Sequence, residues 1–366
     1  MELGVVAYRT PIVRHRGEES SDGGSTYLPD ALLPDALDFL ADLLEEELSN
    51  LLLRELLIGN AVSAQANRSY STRKVLSQHK IKNFLSKASI SYLDTACLTS
   101  FCAANLMKNV DEKSVNAYIG FEDLNYSDLI GLSRETPESE FSSPREISKS
   151  IADYRNISIQ GIEGYIEKSR SHWDSFQSSK SYKRYLFNCD CEEGIGYDLP
   201  VEKIPVMNGG EIPLHFGRLA KGATIIITTK NIGLVQELGG LIVKGIGVSS
   251  NIGDPTTISP LVSSAKNALK SAERELDEID TFEIFDSYLP VAIALSKELG
   301  LPIDRVNMCG NALVRGDTIS AAGGLLLCNV ETLFRTRNDF QSGLVVLYSM
   351  PQAISLVVES SLKNQK

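Results

Sequence analysis

Two stretches of small residues, each at the middle of an alternating run of β-type and helical segments, limit what this chain can fold into. The first, SYLDTACLTSFCAANLMKNV from Ser91 to Val110, follows a β-type run that begins at Ser89. It passes through Leu93-Asp94-Thr95-Ala96 to a helix-like segment opened by Cys97, with Thr99, Ser100, Ala103 and Ala104 on its first turns. The second is a Gly/Ala/Leu stretch at residues 321–334. A helix with small residues on its early turns can sit buried at the centre of a fold. Its N-terminus carries unpaired N–H groups and a partial positive charge, which favour thiolate over thiol at Cys97. The competing reading of Cys97 is a core cysteine, since free Cys is among the most buried residue types.

The segments around these helices alternate in period. Strands are predicted at residues 1–8, 56–62, 89–92, 115–120, 223–228, 241–248 and 279–284, and a closing hairpin at 342–348 and 353–359. Helical spacing covers 28–57, with breaks at Pro29 and Pro34, then 71–84, 158–178 with the only tryptophan, Trp173, 233–238, 260–276 and the segment that runs to Gly300. Such alternation implies a largely parallel, helix-covered sheet. Residues 126–210 interrupt it with Ser-, Lys- and Glu-rich sequence. We therefore expect an N-terminal half at 1–125 plus 212–237, an inserted cap at 126–211, and a C-terminal half at 238–366, with a structural duplication between the halves.

A chain of 366 residues with net charge −11 is poorly suited to general nucleic-acid binding, although a small basic pocket for an anionic ligand remains compatible with it. No apolar run reaches membrane-spanning length and no signal-peptide pattern opens the sequence, so neither nucleic acid nor membrane is expected as a partner. The 6 cysteines lack framework spacing, which fits a reducing, cytoplasmic compartment. Cys189-Asp190-Cys191 has no second cysteine pair and no nearby histidine, so no metal site is expected.

Ordered landmarks along nearly the whole chain resemble those of the thiolase superfamily. Tyr8-Arg9-Thr10-Pro11-Ile12 resembles the first-strand motif A-R-T-P-I. Cys97-Leu98-Thr99-Ser100 with Ala103 falls where thiolases have C-x-S-G-x-x-A, and Thr95-Ala96-Cys97 is also similar to the T-A-C of ketoacyl synthases. Gly120-Phe121-Glu122 matches G-x-E, residues 158–169 resemble the cap helix that begins I-S-R and ends in S-H, and Gly222-Ala223 matches D-G-A-A with Lys221 replacing Asp. Lys244-Gly245-Ile246-Gly247 is shared closely. The C-terminal half is the most specific. DTFEIFDSY, from Asp280 to Tyr288, resembles D-x-x-E-x-N-E-A-F and the E-x-H-D-x-F variant of sterol-carrier-type thiolases. Val306-Asn307-x-x-Gly310-Asn311, followed by Gly316 and Gly323, resembles V-N-x-x-G-G-x-x-x-x-G-H-P-x-G-x-x-G.

The resemblance implies an α/β protein of five αβαβα layers, with two similar halves and an inserted cap. It also implies a homodimer, or a heterodimer with another thiolase-like subunit, working on coenzyme A or acyl-carrier-protein thioesters with no tightly bound cofactor. In that family a cysteine takes the acyl group, a histidine deprotonates it, a second cysteine moves a proton, and an Asn or His helps to hold an oxyanion. Carried over residue by residue, Cys97 is retained, Asp317 stands at the histidine position, Phe285 at the Asn/His position and Leu347 at the second cysteine. The glycine loop reads Ser349-Met350-Pro351-Gln352, leaving the amides of Cys97 and Ser349 for one oxyanion hole.

Asp317 is a weak base unless burial raises its pKa, and its structural alternative is to cap a helix or pair with Arg315. His215, beside the expected pantetheine channel, is the one substitute imidazole, with an ordinary satisfied histidine as the alternative. Lys221 and His172 are candidates for nucleotide phosphates, against a solvated surface role. The implied function is a thiolase-like acyltransferase that loads Cys97 and does not condense acyl units efficiently. Its alternative is a catalytically inactive subunit that scaffolds or regulates an active homologue.

Overall fold

The first strand, β1 (Leu3–Arg9), is buried along its whole length, and its two faces set up the layers. Leu3, Val5 and Ala7 enter one hydrophobic core, while Val6 and Tyr8 enter another. Period-two alternation with both faces apolar is the pattern of a strand covered on both sides. The structure, a computed structural model, describes residues 2–14, 32–60, 74–93, 110–122, 151–153, 155–178, 203–205, 211–213, 220–251, 258–286, 289–349 and 352–362.

Beyond β1 the described strands are β2 (Val13–Arg14), β3 (Leu52–Gly59), β4 (Ser89–Leu93), β5 (Ser114–Glu122), β6 (Lys203–Pro205), β7 (Glu211–Pro213), β8 (Ala220–Thr229), β9 (Leu241–Ser250), β10 (Thr281–Ile284), β11 (Ser342–Ser349) and β12 (Gln352–Ser360). The helices are α1 (Leu32–Glu45), α2 (Ile159–Ser178), α3 (Ile232–Leu238), α4 (Ser259–Ala272), α5 (Leu289–Leu299), the one-turn α6 (Ala312–Arg315) and α7 (Ala322–Thr336).

The hydrogen-bonded path runs β10-β11-β12-β9-β1-β8-β5-β3-β4, and the short β2 pairs with β8. The path is two copies of one topology joined between β1 and β9. In the N-terminal copy, β3 pairs in parallel with β4 and β5, and β8 pairs antiparallel with β5 and β1. In the C-terminal copy, β10 pairs in parallel with β11 and with a bridge at Val306, and β12 pairs antiparallel with β11 and β9. The seam is short: Leu3, Gly4 and Val5 face Val243, Ile242 and Leu241.

α7 lies between the copies, against β1, β5 and β8 on one side and β10 and β11 on the other. Residues 322–334 of it are all buried. Contact is close enough that a Cβ on Gly324 would fall 2.5 Å from Cβ of Thr224 in β8. α1 covers the outer face of the N-terminal sheet, and α4, with α5 against it, covers the C-terminal one. This is the five-layer α/β arrangement that the resemblance implies, with α7 as its described central helix. The Cys97 helix lies outside the described residues. α2, from the inserted region, packs on α5, α6 and β7.

Two local expectations are corrected. The helical pattern read over 28–57 stops at Glu45, where Leu48 N–H reaches back to Leu43 O at 2.8 Å, and β3 begins at Leu52, before the 56–62 strand expected from sequence. Leu51 to Leu57 supplies apolar residues to either period, and tertiary burial selects the strand. Pro34 sits in the first turn of α1, where a missing N–H costs little. The helix expected at 71–84 is helical over 74–78 and then becomes two 3₁₀ turns, Lys80–Asn83 and Leu85–Lys87. His79 ends it by accepting the Ile81 N–H on Nδ1.

Candidate active-site cleft

A cleft opens where β10 ends, lined by the segments 284–286, 307–318 and the start of α7. Asn307 builds its floor. Its backbone is left-handed, φ 49°, a conformation Asn tolerates better than most residues. Its side chain pairs with β10 like a further strand: Oδ1 accepts from Ile284 N at 2.7 Å and Nδ2 donates to Ile284 O at 2.9 Å. The same Nδ2 lies 3.1 Å from Oδ2 of Asp286 and 3.0 Å from the Tyr165 hydroxyl.

Asp286 is thereby held on both oxygens. Oδ2 accepts from Tyr165 at 2.9 Å as well as from Asn307, and Oδ1 accepts from Ala312 N at 3.0 Å, at the start of α6. These donors favour the carboxylate. Burial and the nearby Asp317 charge favour the acid, burial most strongly, and the net result is a pKa raised to about 6. Behind it, Glu283 is fully buried and accepts from Asn329 Nδ2 at 2.8 Å. Burial pushes Glu283 up to about 8. Asn329 Oδ1 in turn accepts from Arg315 Nη1 at 2.7 Å.

Helix α2 packs behind the cleft wall, against α6. Tyr165, Ser169 and Trp173 recur at four-residue spacing, so they share one helix face, and each is at least 97% buried. Tyr165 holds Asp286, Ser169 Oγ accepts from Asn311 N at 2.8 Å, and the Arg315 guanidinium lies 4.8 Å from the Trp173 ring centroid and 5.4 Å from that of Phe176. The last two contacts are cation–π geometry in a desolvated setting.

Of the residues singled out from sequence, Asp317 lines this cleft; its Oδ1 accepts from Ile319 N at 2.9 Å and its carbonyl accepts from Ala220 N at 2.9 Å, tying it to the start of β8. Lys221 is the next residue of β8 and is only 6% exposed. His172 is half-buried on α2 beside the Asn307 backbone, and burial lowers its pKa. Ser349 ends β11 opposite Gln352. Phe285 packs on Tyr348, ring centroids 5.5 Å apart, and Leu347 is fully buried in β11. Cys97 and His215 lie outside the described residues, as do Cys189 and Cys191. Among the described residues, no group of three or more His, Cys, Asp or Glu is placed to hold a metal ion, and no helix is long and apolar enough to cross a membrane.

Sequence reasoning missed Asp286, Asn307 and Tyr165 as site residues. The Glu283–Asp286 spacing and the repeat of Tyr165, Ser169 and Trp173 were the signals that could have found them.

An αβαβα protein of two like halves with this cleft in the second has the fold of the thiolases. Over 98% of both chains it resembles the human mitochondrial 3-ketoacyl-CoA thiolase, at TM-score 0.77 and 16% identity. It resembles a second structure of that thiolase, in complex with CoA, at TM-score 0.73 and 16% identity, again over 98% of both chains. For the Bacillus anthracis acetyl-CoA acetyltransferase the TM-score is 0.73 at 13% identity, with the same coverage. Residues 242–360 match the family described as Thiolase, C-terminal domain. A probable acetyl-CoA acyltransferase of Staphylococcus aureus (strain NCTC 8325 / PS 47) is 35% identical over 115 residues, 31% of this chain; the match spans 28% of that relative's length. The same protein of strain COL matches with the same identity and coverage. The fold is that of the thiolases, the family match is to the C-terminal segment, and that segment contains Asp286, Asn307, Asn311, Asp317 and Asn329.

Proposed function

We propose that this chain is a thiolase-like acyltransferase that takes an acyl group from a coenzyme A or carrier-protein thioester on Cys97, and that it does not run an efficient Claisen condensation. The observation that carries this reading is the acidity of the cleft. Asp286 and Asp317 line it beside Arg315, whose guanidinium is engaged by Asn329 and Trp173; Phe285 adds only an apolar ring to the lining, and Leu347 is buried in the core. Condensation develops enolate charge, which carboxylates oppose and which donors or an imidazole would stabilise. Transfer of an acyl group from sulfur needs no such carbanion. In this reading Ser349 offers its amide to the oxyanion, His215 is the available imidazole, and Lys221 and His172 are the candidates for the nucleotide end of the thioester. The protein works in the cytoplasm as a homodimer or with another thiolase-like subunit. Supporting an assembly, β4 is an edge strand among the described residues, with Ile90 37% exposed. A monomer at micromolar concentration in sedimentation, with no partner recovered, would count against that part.

The test is intact mass after incubation with acyl-CoA of several chain lengths. An adduct that disappears in Cys97→Ser supports loading, and a coupled condensation assay running at the ~1–10³ s⁻¹ of ordinary enzymes would defeat the non-condensing part. A second reading, an inactive scaffold for an active homologue, draws on one observation: Asp317 spends Oδ1 on the Ile319 N–H, a structural bond at the start of a 3₁₀ turn. No adduct at any chain length would favour it.

A further inference from the structure

Four of the described residues with positive φ fall in the segment that walls the cleft: Asn307 (49°), Gly310 (83°), Gly316 (102°) and Ile319 (36°). Glycine takes this region freely and Asn tolerates it. Ile319 differs, because a β-branched side chain there is strained by enough to change an equilibrium about tenfold. The strain has a visible holder: Asp317 Oδ1 accepts from Ile319 N at 2.9 Å. On either side the turn is seated on the N-terminal sheet. Asp317 O accepts from Ala220 N at 2.9 Å, Ala321 O accepts from Thr224 Oγ1 at 3.2 Å, and a Cβ on Gly120 of β5 would fall 2.2 Å from Ser320 O.

Relief is available without moving those seats. The peptide plane between Thr318 and Ile319 turns about its two flanking bonds and leaves both Cα atoms in place. Half a turn takes Ile319 from φ 36° to about −144° and Thr318 from ψ 12° to about −168°, extended values that β-branched residues favour. It removes the strain and gives up the bond from Ala321 N to Thr318 O, 2.8 Å, so that strain and hydrogen bond nearly offset. Asp317 then decides the position. Turning the plane over replaces the N–H at its carboxylate by the Thr318 carbonyl, and two acceptors face each other. We propose that the Thr318–Ile319 peptide is a two-position element of the cleft wall, held in its strained position by the Asp317 carboxylate and released when that charge is neutralised. Release presents a carbonyl beside Asp317 where the wall had a donor. The proposal concerns the wall alone and is independent of which group the chain transfers.

The experiment uses the full chain with Asp317→Asn and Ile319→Gly, singly and together. Asp317→Asn keeps the shape of the side chain and supplies an amide that donates to the turned-over carbonyl. Ile319→Gly is unstrained in either position. Unfolding in denaturant is expected to be non-additive: Ile319→Gly relieves strain in the wild-type background and not in Asp317→Asn, a difference of about tenfold in the unfolding constant. The position itself is read from the nuclear Overhauser effect between the Ile319 amide and its own Hα, in a deuterated chain carrying protonated isoleucine. That effect is strong at positive φ and is expected to fall about twofold or more in Asp317→Asn. Should that variant not fold, Asp317→Ala removes the carboxylate outright and carries the same two expectations. An additive cycle, or an Overhauser effect that the substitution leaves unchanged, overturns the proposal.

Discussion

The outer face of the N-terminal half and that of the C-terminal half are covered in different ways. α1 lays Leu32, Leu33, Leu37, Leu40 and Leu44 over β1, β3, β5 and β8. α4 instead brings its backbone down onto β9 through small residues: a Cβ on Gly245 would fall 2.2 Å from Ala268 O, and one on Gly247 1.9 Å from Ser264 O. Strand order and pairing sense are the same in both copies, so topology does not dictate how a face is filled. Leucine ridges tolerate adjustment, whereas glycine-mediated contact fixes a helix at one height. The rigid half is also the one that carries the cleft, whose carboxylates need a fixed setting.

That difference predicts the largest effects. Leu40→Ala, in a fully buried position, should cost about 2–5 kcal/mol, the range for a large core truncation. Gly247→Ala adds one carbon yet should cost about 1–3 kcal/mol, because α4 has to lift off β9. Denaturant unfolding of both variants checks this. A neutral Gly247→Ala would mean that α4 is as adjustable as α1.

The thiols offer the next contrast. Cys309 and Cys328 of the C-terminal half are buried, and desolvation pushes both well above the usual thiol value. Cys97, at the expected helix start of the N-terminal half, should react with iodoacetamide faster than either by about 10²-fold. Peptide mapping after brief labelling of the folded protein gives the order, with Cys102, outside the described residues, mapped alongside. Slower labelling at Cys97 would contradict its assignment as the acyl carrier.

Much of this was readable from sequence because it depends on local period. β1, β8, β9 and the β11–β12 hairpin alternate or run apolar between clear turn signals, and the structure has their ends within three residues of those expected. The α1–β3 boundary was not, because the leucines from 51 to 57 suit either element until their neighbours are known. Asp317 was found through its place in a glycine-rich motif. Asp286 was not, since its partner Tyr165 lies 121 residues away, and neither was the strand-like pairing of the Asn307 side chain, which follows from a left-handed backbone that no pattern announces.

The buried carboxyls make the C-terminal half sensitive to pH. Glu283 titrates at about 8 in the fold against an ordinary 4.5, and Asp286 at about 6 against 3.8. A carboxyl raised on folding holds its proton more tightly in the native state. Its contribution is therefore complete below the unfolded value and is lost as pH climbs through the folded one, here from about pH 4 to pH 8. Glu283→Gln removes the larger of these titrations while keeping an acceptor for Asn329. The variant should gain more than about 1 kcal/mol on wild type between pH 5 and pH 8. Parallel stability curves for the two proteins would show that Glu283 does not titrate in this window.

The smallest effect is expected at the seam between the halves. Lys244 of β9 sits 2.6 Å from Glu2, just before β1, and 3.7 Å from Glu359 of β12, so an ion cluster spans the join. Its members are substantially exposed: the Lys244 and Glu2 side chains keep 29% and 48% of their surface. Water and salt screen such pairs, and holding two long side chains costs entropy. The seam has better reasons to hold. Leu3 and Val5 pair across it with Val243 and Leu241, and all four are buried at 5% exposure or less. Lys244→Ala should therefore cost only ~0.2–1 kcal/mol at low salt, and the difference from wild type should shrink as salt is raised. A loss of several kcal/mol that salt leaves unchanged would mean that charge, and not the buried strand pairing, holds the two halves together.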